Sequence, residues 1–160
     1  RRGTFLHFLG TGGNPSGVIR QRRRTGGVWI SLAGHAIALD PGPGAAFHAA
    51  RAGLDARSLN AIVISHGHTD HYLAAGSLIE GMCRGMSRRR GVLALPREAL
   101  VGGLVDRFHL GLDPAPWYPG GPLVRCLRSD EPLQLGEVRI VPFRVQHGPE
   151  NYGLRFEAKA

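Results

Sequence analysis

An α/β fold built on a mixed sheet is the architecture this sequence predicts, and three features predict it. Short, apolar, β-prone runs recur along the chain. Some are joined by tight glycine turns, as antiparallel hairpins are, and others are separated by helical stretches, as parallel crossovers require. The third feature is an apolar run at 61–64 that stops and gives way at once to Ser-His-Gly-His-Thr-Asp-His at 65–71. Imidazole and carboxylate groups crowded at the C-terminal end of a buried strand point to a metal site.

Composition sets the frame. The 160 residues suffice for a single domain, 1–160, with a real core, and 42% hydrophobic with 20% charged residues is the balance of an ordinary globular protein. The formal net charge of +8 is carried almost wholly by arginine. Its planar fork suits phosphate and carboxylate, so a nucleic-acid or phosphorylated partner is permitted. Cys83 and Cys126 lie far apart and read as small core residues in a reducing cytoplasm, not as a disulfide framework. No signal peptide is read, and no run approaches the roughly 18 apolar residues of a membrane helix. The chain is therefore expected to be cytoplasmic, with no membrane role.

The elements follow in order. Residues 4–9 read as a strand, ended by the loop Gly10-Thr11-Gly12-Gly13-Asn14-Pro15, and 20–24 are a basic stretch on a solvated loop. Runs 28–32 and 36–39 read as strands turning at Ala33-Gly34-His35, and Asp40-Pro41-Gly42-Pro43-Gly44 ends the second. Residues 45–52 are alanine-rich and helical, with Gly53 as the stop, and a helical turn follows at 55–59. A buried strand is expected over 61–65 and a helix over 72–82. The second basic run, 88–90, also reads as solvated. A strand at 91–95 leads to a helix opened by Pro96 and running to about 101, the favoured place for proline. Residues 102–122, rich in Gly and Pro and carrying Trp117 and Tyr118, read as a lid or a connector. Strands at 123–127, 133–135, 137–146 and 152–157 complete the chain.

His66 and His68 are two apart, so in extended backbone they project to one side, which suits two ligands on one metal. Asp70 and His71 follow after the chain begins to turn and point beside the first pair, toward a neighbouring metal position. Two metals about 3.5–4 Å apart form a hydrolytic clamp. His147 ends a strand candidate and is the best third ligand for His66 and His68. His7 reads as a core or rim residue. His35, His48 and His109 read as solvated, and His109 approaches the site only if 102–122 is a lid.

Together these motifs resemble the metallo-β-lactamase fold superfamily of metallohydrolases. Phe8-Leu9-Gly10-Thr11-Gly12-Gly13 looks like the opening strand and glycine turn of the branch containing the tRNA 3′-processing endoribonuclease. Residues 37–42 look like the second strand with its Asp-x-Gly turn. His66-Gly67-His68-Thr69-Asp70-His71 matches the family signature, and His147 with Tyr152-Gly153-Leu154-Arg155 matches the third metal histidine and the strand beyond.

The resemblance implies an αββα sandwich of mixed β-sheets with flanking helices and the site at one edge. It implies two zinc ions, with manganese or iron as alternatives. His66, His68 and His147 would hold the first and Asp70 and His71 part of the second, with Asp40 supporting the metal loop through hydrogen bonds. It also implies an N-terminal portion of the full fold, since the family's bridging aspartate and final histidine have no match after His147. The expected function is a zinc-dependent hydrolase in which a metal-bound hydroxide attacks a phosphodiester or related ester. Asp70 would orient that hydroxide or take its proton, and RNA is a permitted substrate beside small esters. The alternative is a catalytically inactive metal-binding or interaction module lacking those two ligands. Oligomeric state is left open.

Overall fold

The structure, a computed structural model, describes residues 3–113, 115–148 and 150–158. The ends of the expected 1–160 domain, with Pro114 and Pro149, lie outside the described residues. The chain opens with β1 (Phe5–Gly10) and a short helix, α1 (Ser16–Arg20), that was not expected. The first basic stretch therefore begins at a helix end and continues over exposed residues 21–24. Strands β2 (Gly27–Leu32) and β3 (His35–Leu39) run antiparallel, with β1 antiparallel on the far side of β2. Their turn needs only Ala33 and Gly34, both at positive φ (46° and 76°), the geometry that matches the twist of a hairpin. His35, expected in the turn, opens β3 opposite Leu32 instead.

From β3 the direction changes. Helix α2 (Ala45–Arg51) returns the chain to β4 (Leu59–Val63), after a single 3-10 turn at Ala56–Ser58 capped by the Asp55 side chain. Helices α3 (Thr69–Tyr72) and α4 (Ala75–Met82) lead to β5 (Arg89–Leu95), and α5 (Arg97–Val101) precedes β6 (Gly121–Cys126). Strands β3 to β6 are parallel, completing a six-stranded mixed sheet in the order β1-β2-β3-β4-β5-β6. A second, antiparallel sheet follows: β7 (Leu133–Leu135), β8 (Val138–Arg144) and β9 (Tyr152–Ala158).

Alternation along the strands sorts the core into two layers. Trp29, Ala38, Ile62, Leu93 and Leu95 face the helices, while Ile30, Ile37, Ala61, Val63 and Ala94 face the second sheet. The described residues thus stack as helices, six-stranded sheet and three-stranded sheet, the mixed α/β sandwich expected. Leu6 and Phe8 of β1 lie opposite Ile30 and Val28, on the side that faces the second sheet, yet they are 61% and 62% exposed because that sheet does not reach them. No helix among the described residues is long and apolar enough to cross a membrane.

Two further expectations are corrected. The helix expected over 72–82 is broken, because the Ala74 amide bonds the Pro41 carbonyl at 2.9 Å, whereas a continuous helix would send it to Asp70. The run 88–90 is not a free loop. Arg89 starts β5, and Arg90 donates to the Arg57 and Met82 carbonyls at 2.8 and 2.7 Å, bridging the 3-10 turn and the end of α4. Segment 102–122 is anchored by Val105 and Leu110, buried against the helical layer, while Trp117 is 79% exposed.

Candidate metal centre

Parallel pairing brings the tips of β3 and β4 side by side, with the Asp40 amide bonding the Val63 carbonyl at 2.8 Å. Asp40 turns the chain at φ 51°. Two residues on, Gly42 passes so close to the Asp70 carbonyl that a Cβ would collide with it. The Asp-x-Gly turn therefore fits under the start of α3 only with glycine there. The Asp40 carboxylate accepts the Ser65 amide at 2.6 Å and the Ser65 hydroxyl at 2.8 Å.

The Ser65 hydroxyl has one proton, and Asp40 takes it. At 2.9 Å from His66 Nδ1, the same oxygen is then the acceptor, so the His66 proton sits on Nδ1. His66 is only 6% exposed. Burial, foremost, pushes its pKa from 6.5 to about 4, with nearby His71 acting in the same direction and Asp40 opposing. A neutral ring protonated on Nδ1 leaves Nε2 with the ring's lone pair, and this atom lies within hydrogen-bond distance of His68 Nδ1 at 3.0 Å. The His147 ring lies 5.1 Å from both other rings, near perpendicular to each. One nitrogen from each of His66, His68 and His147 falls within 4.8 Å of the others, so this group could hold a metal ion. Three convergent imidazoles fit a borderline divalent cation such as zinc.

Asp70 and His71, in the first turn of α3, stand against this group rather than in it. The His71 ring is 4.0 Å from the His66 ring. Its Nε2 is 3.3 Å from Asp70 Oδ2, and its Nδ1 is 2.9 Å from Asp40 Oδ2 but out of line for a hydrogen bond. Burial by itself lowers the His71 pKa, but the Asp40 and Asp70 carboxylates outweigh it and the net direction is up. Asp70 Oδ2 accepts the Asn14 amide from the glycine loop at 3.0 Å, while Asp70 Oδ1 is buried with no hydrogen-bond partner. A buried carboxylate oxygen without a partner is costly, and a cation is a fitting one.

A cavity of about 250 Å³ opens over the triad, with Pro96, Glu98, Ala99 and Leu104 forming its other wall. His109 does not reach it. That ring is held between Asp106 and Glu80, which ties segment 102–122 to α4. Sequence reasoning missed Asn14, Ser65 and the α5 wall. Ser65 was findable as the hydroxyl preceding the first histidine; the wall left no local signal.

Comparison with known proteins agrees with this fold. The family described as Beta-lactamase superfamily domain matches residues 35–160. The chain belongs to that superfamily and has the metallo-β-lactamase fold. Its particular likeness is to ribonuclease Z, and that enzyme from Archaeoglobus fulgidus is 28% identical over 148 residues, covering 92% of this chain and 46% of the relative. An uncharacterized protein of Methanocaldococcus jannaschii is 38% identical over 155 residues, covering 93% of this chain and 54% of that protein. Among solved structures, the short form of human tRNase Z matches with a TM-score of 0.69 at 19% identity, over 96% of this chain and 64% of that one. A diphosphatase from the PhnP family matches with a TM-score of 0.69 at 23% identity, over 94% and 61%. At such identities these structures speak for the fold. The chain spans about half the length of the curated relatives it matches.

Proposed function

We propose that this chain carries the metal-binding part of a zinc-dependent hydrolase that cleaves phosphodiesters, with RNA as its substrate class. The observation that carries the reading is the convergence of the His66, His68 and His147 nitrogens at the mouth of a cavity. The partnerless oxygen of Asp70 beside them supports it. The ribonuclease Z relatives and the net charge of +8 favour a polyanionic substrate over a neutral ester. Free thiols at Cys83 and Cys126 suit a reducing cytoplasm.

A divalent ion bound there supplies Lewis acidity and makes water nucleophilic near neutral pH. The remaining work falls to side chains. His66, His68 and His147 hold the ion, and Asp40 holds His66 in the required tautomer through Ser65. Asp70 would orient the attacking water or accept its proton and, with His71, would supply part of a second cation position. The test is hydrolysis of bis-p-nitrophenyl phosphate and of an RNA oligonucleotide by the full chain. Activity lost to chelator and restored by zinc is expected. A protein that binds metal yet cleaves neither substrate would support the inactive module instead.

A further inference from the structure

We infer that Glu150 is a positioning residue that ties the third metal ligand to the opposite wall of the cavity, an inference resting on the metal-centre reading above. His147 lies between β8, which ends at Arg144, and β9, which begins at Tyr152, so no strand ladder seats it, and it is exposed. His66 differs, being buried and backed by Ser65 and Asp40. Within the His147 loop, the Val145 amide donates to the Asn151 carbonyl at 3.1 Å and Asn151 Nδ2 to the His147 carbonyl at 2.9 Å. The Tyr152 amide fixes the base of the loop on the Ser65 carbonyl at 3.2 Å. These bonds close the loop, but none crosses the cavity.

Glu150 does cross it. Its Oε2 accepts the Glu98 amide at 2.6 Å. Glu98 is in the first turn of α5, where amides have no partner within the helix, and Pro96 before it offers no side-chain cap. The carboxylate therefore satisfies a helix amide through a charge-assisted bond. Helix α5 in turn lines the cavity with Glu98 and Ala99, facing His147. Outward movement of this wall pulls on Glu150 and, three residues along the chain, on His147. Cavity width and the position of the third ligand are coupled through one hydrogen bond.

Cobalt(II) is the probe, titrated into the full chain against a chromophoric chelator, with its visible d–d band reporting coordination geometry. Glu150→Gln keeps an acceptor oxygen and should leave both affinity and band unchanged. Glu150→Ala should weaken binding about tenfold and alter the band, with the protein still folded by circular dichroism. If the alanine variant fails to fold, Glu150→Leu, which keeps bulk without an acceptor, is read in its place. Wild-type affinity and an unchanged band in the variant lacking the acceptor overturn the inference, as does an equal loss in Glu150→Gln. No cobalt binding by the unaltered chain, or undiminished binding by His66→Ala, overturns the metal-centre reading instead.

Discussion

Asp40 and Ser65 are joined twice, the carboxylate accepting the serine amide at 2.6 Å and its hydroxyl at 2.8 Å. The pair ties the tip of β3 to the tip of β4 and settles which nitrogen of His66 carries the proton. Asp40→Ala leaves the Ser65 amide and hydroxyl without this acceptor and should cost about 1–3 kcal/mol of stability, read as a shift in the denaturation midpoint.

Ser65→Ala probes the other half of the relay. It removes the acceptor for the His66 Nδ1 proton while leaving Asp40 in place. Metal affinity should fall about 10–100-fold, and nitrogen NMR of the metal-free protein should show His66 losing its single tautomer. An unchanged tautomer would remove Ser65 from the account.

The His109 bridge should give stability a pH signature. Burial lowers the His109 pKa, but Asp106 and Glu80 outweigh it and the direction is up from 6.5; for Asp106, burial raises the value but the His109 contacts prevail and the direction is down from 3.8. A group whose folded pKa is raised contributes fully below its unfolded value and loses that contribution as pH rises through the folded one. The Asp106 contribution, conversely, is lost as pH falls through its depressed pKa. The stability difference between wild type and His109→Gln should therefore be largest near about pH 6 and shrink toward about pH 9. A difference that grows with pH would contradict the bridge.

Core and surface should separate cleanly. Ile62, fully buried beneath the helices, should cost about 2–5 kcal/mol on change to Ala. Leu123, 51% exposed on the edge strand β6, should cost within about 0.5 kcal/mol. Equal effects would mean that the two-layer core is misassigned.

Much of this was legible because it is local. The glycine turn after β1, the Asp-x-Gly turn after β3 and the cluster after β4 each lie within a few consecutive residues, and the near-continuous apolar runs of β3 and β4 follow from burial on both faces of the sheet. What escaped depends on contacts distant in the chain. The break between α3 and α4 arises where Ala74 meets Pro41, and the conversion of Arg90 from a surface charge to a brace arises where it meets Arg57 and Met82. Neither pairing leaves a trace in helical periodicity or charge. His109 was open to two readings until Glu80 was seen on its far side.

The central claim is that His66, His68 and His147 together hold a divalent ion. Elemental analysis of protein expressed with ample metal and then dialysed tests it most directly. The account predicts about one or more equivalents of zinc, manganese or iron in the wild type and in His109→Ala, with loss in His66→Ala, His68→Ala and His147→Ala. A wild-type protein that retains none of these metals would contradict it.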